Sequence, residues 1–294
     1  MINFRIFGCY LQCYKKPHKI QNMRNLTLLF LLFTNLYFSQ TNRFIYELKY
    51  RSEPTQDYRT DLMALDIDAK NVRFYDYKFV EYDSINKKAN EYSSRYSTKT
   101  DQVLTRKLNS NKNIWYRDFF DYFAVTTNDE MKWKLSNETQ NFEGYKLQKA
   151  TTKFAGRDWT AWFSKDVNIS EGPYKFRGLP GLIFILEDNQ KDFVYKLVKN
   201  IKLPRTYDTK EFVETHYGKP ALPVTNEKFN KYIQEIYADP IRMFSAQMKD
   251  GGKATFKNET VESMEELNKK KAMLQNGIKS RYIYIEKDKA PKFN

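Results

Sequence analysis

Polar and apolar positions alternate once an initial apolar run has ended. Phe44, Tyr46, Leu48 and Tyr50 interleave with Arg43, Glu47, Lys49 and Arg51, the period of two that turns one face of a strand to a core and the other to water. Met63, Leu65 and Ile67, the turn Asp68-Ala69-Lys70-Asn71, then Val72 and Phe74 predict a hairpin. The stretch from Tyr82 to Asn113 is polar and charged, and it predicts a long surface connection with some helix. From Ile114 to Asn200 aromatic bursts recur at Trp115, Phe119 to Phe123, Trp133, Tyr145, Phe154, Trp159, Trp162 and Phe163. Turn signals at Asn128-Asp129, Gly144, Gly156 and Asp188-Asn189 cut this region into antiparallel strands.

The pattern changes after Pro204. Asp208-Thr209-Lys210-Glu211 has the form of a capping box, so Phe212 and His216 are expected on one short helix that stops at Gly218. Phe229, Ile233, Ile236 and Tyr237 share one face of a helix ending at Asp239-Pro240. Val261 to Asn276 places Glu262, Glu265 and Glu266 early and Lys269, Lys270 and Lys271 late, with Gly277 behind, the charge order a helix dipole favours. Tyr282 to Ile285 predicts a last short strand. The expected fold is mainly β, an antiparallel sheet, curved or half-barrel, with a few helices towards the C-terminus.

The beginning of the chain reads differently. Met23-Arg24-Asn25 followed by the thirteen-residue run Leu26 to Phe38 and the small residue Ser39 has the layout of a secretory signal peptide. The run is short of the ~20 apolar residues that span a bilayer, so no transmembrane anchor is expected. Residues 1–22 then read as an upstream extension from an early start, 23–39 as the signal peptide, and 40–294 as a single β-rich domain. Cleavage after Ser39 removes Cys9, Cys13, His18 and five basic residues, which takes the net charge from +14 to +9 and leaves His216 as the one histidine. Disulfides, cysteine nucleophiles and cysteine zinc sites go with them. The 16% aromatic content, with only ten Gly and nine Pro, excludes a disordered or linker-rich chain.

The densest local signal runs from Gly144 to Asp188. It holds Gly144-Tyr145-Lys146, Ala150-Thr151-Thr152, Gly156-Arg157-Asp158-Trp159-Thr160-Ala161-Trp162-Phe163, and the run Gly172-Pro173-Tyr174-Lys175-Phe176-Arg177-Gly178-Leu179-Pro180-Gly181-Leu182-Ile183. These residues resemble the GLPGLI family of exported bacterial proteins, named for the hexapeptide standing here at 178–183. The resemblance implies export and brings no established activity with it. Many members carry a Cys near the position of Leu147, which this chain lacks, so no covalent role transfers.

Gly172, Pro173, Gly178, Leu179, Pro180, Gly181, Leu182 and Ile183 are read first as a structural motif, a compact preset turn opening into a buried strand from Leu182 to Leu186. Glycine and proline have no catalytic group. The functional alternative is that the turn presents Arg157, Lys175 or Arg177 to an anionic ligand, although cations beside aromatics are as often plain surface residues. His216 has no second His or Cys beside it to complete a metal site. Asp66 with Asp68, and Asp188 with Asp192, lack the acidic density and Gly of a calcium loop and read as hairpin turns. No phosphate-binding glycine loop, serine elbow or zinc helix motif is found. No cofactor, metal or nucleic-acid partner is expected. The expectation is an exported, non-catalytic binding or carrier module of the periplasm, outer envelope or extracellular space, taking an apolar or peptide ligand or an anionic envelope component. The alternative is a hydrolase that works through carboxylates distant in sequence.

Overall fold

The computed structural model describes residues 40–245, 248, 252–256 and 259–293. The expected signal peptide, the upstream extension and both cysteines lie outside the described residues. The protein is mainly β, with 41% of its described residues in strands, most of them in one large sheet that is not closed into a barrel.

A first meander comprises β1 (Thr41–Tyr50), β2 (Arg59–Ile67), β3 (Asn71–Asp76), helix α1 (Lys78–Ala89), β4 (Val103–Lys107), β5 (Lys112–Phe119) and β6 (Asp121–Asn128). A second comprises β7 (Lys134–Phe142), β8 (Tyr145–Phe154), β9 (Arg157–Ser164), β10 (Leu182–Asp188) and β11 (Phe193–Leu203). The two join where β1 pairs antiparallel with β11, from Thr41 opposite Leu203 to Tyr50 opposite Phe193. A π turn (Lys210–Glu214), β12 (Thr215–His216), β13 (Lys219–Pro220), β14 (Leu222–Val224), α2 (Asn226–Ala238) and α3 (Arg242–Ser245) follow, then β15 (Ala254–Phe256), β16 (Glu259–Val261), α4 (Met264–Lys269) and α5 (Lys271–Lys279). The twelve-stranded order is β14-β6-β5-β4-β3-β2-β1-β11-β10-β9-β8-β7. Every neighbouring pair is antiparallel except β14 with β6.

The first hairpin forms as its pattern requires, with Ile67 opposite Val72. Asp68 makes its turn, accepting from the backbone N–H groups of Lys70 and Asn71 at 2.8 Å each. Helix α2 also follows its pattern. Thr225 caps it by accepting from the Lys228 N–H, and Phe229, Ile233 and Ile236 are buried against Trp115, Phe119, Phe123 and Val125 of β5 and β6. At about 1.5–3 kcal/mol per fully buried apolar side chain, that face holds the helix to the sheet.

Four local expectations are corrected. The polar stretch after Tyr82 is not one surface connection, because it contains most of α1 and all of β4. Those elements bury charged and polar residues beside apolar ones, Asp83 and Asn86 with Phe79 in α1 and Arg106 with Val103 and Leu104 in β4, so no clean apolar period marks them. The expected helix carrying His216 is a π turn followed by a two-residue hairpin. Thr209 spends its hydroxyl on the Glu214 carboxylate instead of capping, while Tyr217 and Gly218 take positive φ to make the β12–β13 turn. Val261 belongs to β16, and the helix behind it starts only after the Ser263 cap and breaks at Lys270, with Gly277 inside α5 and not beyond its end. Tyr282 to Ile285 runs extended without entering a sheet, and the Ile283 N–H donates to the Lys99 carbonyl at 3.0 Å.

Candidate functional site

The glycine-proline motif is longer and deeper than a turn. Residues 165–181 connect β9 to its antiparallel neighbour β10, and Tyr174, Phe176 and Leu179 of this connection enter the main core beside Phe74, Trp159 and Tyr195. Phe176 lies over Trp159 with ring centroids 4.6 Å apart. The segment therefore plugs one face of the sheet. Gly178 and Gly181 take positive φ at its exit, +95° and +151°. Gly172 has an ordinary φ and is needed for closeness, since a Cβ there would stand 2.9 Å from the Phe176 carbonyl oxygen and 2.6 Å from Ile183 Cδ1.

Of the three candidate cations Lys175 and Arg177 lie in this plug, and Arg157 opens β9 before it. Each is already answered by a carboxylate of the chain. Lys175 is fully buried, with its ammonium 2.6 Å from Glu286 and 3.1 Å from Asp129. Tyr174 donates its hydroxyl to the same Glu286 at 2.6 Å, and Lys289 bridges Glu286 and Asp129 from the other side at 2.7 and 3.0 Å. Arg157 meets Asp188 at 2.6 Å and Asp192 at 3.1 Å and donates to the Ile285 carbonyl at 2.9 Å. Arg177 reaches Glu171 and Asn111, and Arg106 is paired with Glu171 and donates to the Tyr174 carbonyl.

Burial alone would raise the Glu286 and Asp129 carboxyls, but Lys175 and Lys289 outweigh it and hold both below the usual range. This arrangement ties the motif to β4, to the β10–β11 turn and to the C-terminal segment. It leaves Lys175 and Arg157 buried and Arg177 partly exposed.

Asp66, Asp68, Asp188 and Asp192 are likewise engaged. Arg43 grips Asp66 through two bonds of 2.7 Å, Asp68 pairs with Arg73 at 2.6 Å, and Asp188 accepts from the Phe193 N–H across the β10–β11 turn at 2.9 Å. His216 is half-buried, its ring 5.2 Å from Tyr122 and 5.0 Å from Tyr217. Burial lowers its pKa.

Two other constellations were not singled out by the sequence. The first is an acid pair at one end of β2 and β3. Asp61 accepts from Tyr50 at 2.6 Å and pairs with Lys78 at 3.2 Å, and Asp76 accepts from Tyr96 at 2.5 Å and from the Lys78 N–H at 2.9 Å. Burial, with the Asp61 charge adding to it, pushes the Asp76 carboxyl up to about 6 in spite of those donors.

The folded state thus holds a proton on Asp76 that the unfolded chain releases near its ordinary value of 3.8. Its contribution to stability is complete below that value and is lost as the pH rises through about 6. Asp76→Asn, neutral at every pH, should therefore gain on wild type by roughly 3 kcal/mol between pH 4 and pH 7. Urea denaturation at intervals across that range reads the gap directly, and a gap independent of pH would remove the shifted carboxyl.

The second constellation is an apolar cleft of about 190 Å³ between the β5–β6 turn and α5, lined by Phe119, Phe120, Phe244, Met273, Leu274 and Ile278, with Gly277 in its wall and Arg281 at its edge. Phe120 and Met273 stand 46% and 40% exposed. A Cβ on Gly277 would meet no atom within 4 Å. The Arg281 guanidinium is held by the carbonyl and carboxylate of Asp118 at 3.0 Å each. Charge order announced a helix in this region but gave no sign of the cleft, because its walls come from segments more than a hundred residues apart.

A family model described as a protein of unknown function (Porph_ging) matches residues 155–187, the stretch from β9 through the plug to β10. No curated protein matches. Two solved structures, of PNGF-II in C2 and in P21 space groups, are similar at 14% and 16% identity with TM-scores of 0.45 and 0.46. Each match covers 66% of this chain and 32% or 33% of the other, so the chain spans about a third of their length.

Proposed function

We propose that this chain is an exported, GLPGLI-type binding or carrier module of the cell envelope that takes a short acyl chain with an anionic head. The apolar cleft beside α5 carries this reading. Its walls are almost wholly hydrocarbon and aromatic, it is open at Phe120 and Met273, and the Arg281–Asp118 pair puts a polar group at the edge, with Arg281 still a third exposed. Apolar walls with a partly exposed ion pair at the edge suit an amphiphile.

Gly277 gives a clean test. A Cβ there meets no atom within 4 Å, so a longer side chain has room at the cleft wall, and removing a glycine from a helix interior favours the helix by about 1 kcal/mol. Gly277→Leu should hold or raise the melting temperature and weaken decanoate binding at least about tenfold by titration calorimetry. Unchanged affinity in that variant, or no decanoate binding by wild type, overturns the assignment.

Export is supported by the layout at the other end of the chain. Cleavage after Ser39 spares β1, which starts at Thr41, and with it every strand of the described residues. N-terminal sequencing of the protein from the envelope of a native host should begin at Gln40 or within a residue or two of it; an intact Met1 or Met23 there sinks the export reading.

The carboxylate hydrolase reading keeps one observation in its favour, the raised Asp76 beside the partly exposed Asp61. It requires turnover of a glycan, ester or peptide that Asp61→Asn abolishes.

A further inference from the structure

A second cleft lies at the β7 edge of the sheet. It is an open cleft of about 290 Å³ lined by Lys132, Lys134, Lys153, Thr151, Thr160 and Asn189, with Asp158 and Trp159 beside them. Register builds it. Lys134 is the first residue of β7 and stands opposite Thr151 of β8, and Thr151 stands opposite Thr160 of β9, so the three side chains share one face. Two residues along on that same face Lys153 stands opposite Asp158. The pairing of β7 with β8 stops at Thr151, and the chain entering β7 is fixed beside the gap by the Thr152 hydroxyl, which donates to the Lys132 carbonyl at 3.0 Å.

The charges in this cleft differ from those of the plug. Lys175 and Lys289 are neutralised by carboxylates inside the protein, and Lys149 on the same β8 is paired with Glu138 at 2.9 Å. Among the described residues no carboxylate stands within ion-pairing distance of Lys132 or Lys134. Lys153 lies 3.6 Å from Asp158, but both are largely solvated, at 89% and 56% exposure, and such a pair is worth little. Three lysines and one carboxylate thus line an open concavity whose wall is mainly side-chain hydrocarbon, with the threonine hydroxyls and the Asn189 amide set among it. Gathering like charges in a concavity raises the local potential for an anion.

We propose that this cleft binds a sugar unit bearing one acidic group, carboxylate or phosphate. The volume is close to the lower end for small-molecule sites, too large for a bare ion and suited to one ring with its substituent. The lysines meet the acidic group as point charges. Thr151, Thr160, Asn189 and Asp158 offer the mixed donors and acceptors that ring hydroxyls require. The proposal is independent of the acyl cleft, with which it shares no residue.

Titration calorimetry of the full chain with trigalacturonate and with mannose 6-phosphate separates the two sources of the anion, and maltotriose and inorganic phosphate separate the sugar from the charge. Binding of either acidic sugar, weakening as salt rises, with at least about tenfold loss in the double variant Lys132→Gln, Lys134→Gln and a smaller loss in Thr160→Val, supports the site. These side chains hold no element together, so the variants should melt as wild type does. Gly277→Leu should leave this binding unchanged. Failure of both acidic sugars to bind, equal binding of maltotriose, inorganic phosphate binding as tightly as mannose 6-phosphate, or full affinity in the double lysine variant each overturns the proposal.

Discussion

Gly181→Ala should cost the protein more than about 3 kcal/mol, enough to lower its melting temperature by roughly 10 °C or to prevent folding at 37 °C. The reason is geometric. A Cβ on Gly181 would lie 2.0 Å from the Ser164 carbonyl oxygen and 2.6 Å from its carbon, both backbone atoms of β9, at a φ of +151° that side chains avoid. Ser164 cannot yield, because it is paired with Leu182 across the β9–β10 ladder and any shift pulls the plug with it.

Gly178 supplies the internal control. It also has a positive φ, +95°, but its Cβ would come no nearer than 4.0 Å to anything, the Trp133 ring. Gly178→Ala should therefore cost only the conformational term, about 1 kcal/mol. Urea midpoints of the two variants separate close approach from backbone conformation. A Gly181→Ala protein within 1 kcal/mol of wild type would remove the structural account of the motif.

The same contrast explains what the sequence made legible. Alternating Phe44, Tyr46, Leu48 and Tyr50 announced β1, and the spacing of Phe229, Ile233 and Ile236 announced α2, because each element buries an apolar face that its period displays. β4 stayed hidden since it is short, buries Val103 and Leu104 on opposite faces, and turns Arg106 inward to Glu171, 65 positions away. The motif was visible as glycine and proline, yet nothing local distinguished a tight turn from a plug. That distinction depends on Tyr174, Phe176 and Leu179 finding Phe74, Trp159 and Tyr195 across the sheet. For the site the limit is sharper. Lys175, Arg157 and Arg177 were picked out as cations among aromatics, but their role follows from Glu286, Asp188, Asp192 and Glu171, and no periodicity connects residues as far apart as Lys175 and Glu286. The one available clue was chemical, since a lysine placed between Tyr174 and Phe176 must find a carboxylate if those rings are buried.

The Lys175–Glu286 pair should be the most costly interaction in the molecule to break from one side. Lys175→Met leaves Glu286 and Asp129 buried with only Lys289 to answer them, and removing one partner of a buried pair typically costs about 3–5 kcal/mol. Glu286→Gln should cost less, because Asp129 still stands 3.1 Å from the ammonium and the amide oxygen still accepts from Tyr174. The double variant Lys175→Met, Glu286→Gln should be more stable than the sum of the two losses allows, since it leaves one buried charge fewer on each side. Acid should expose the same interaction. The folded carboxyls of Glu286 and Asp129 lie below their ordinary values of 4.5 and 3.8, so the stability they contribute is present above those values and is lost as the pH falls through the depressed ones. Glu286→Gln should flatten that acid limb while leaving the opposite slope set by Asp76 between pH 4 and 6 in place. Measured by urea denaturation from pH 2.5 to 7, additive single losses or an acid limb unchanged in Glu286→Gln would mean that the C-terminal segment is held to the plug by packing alone, and that the ion pairs inside the motif contribute nothing to its register.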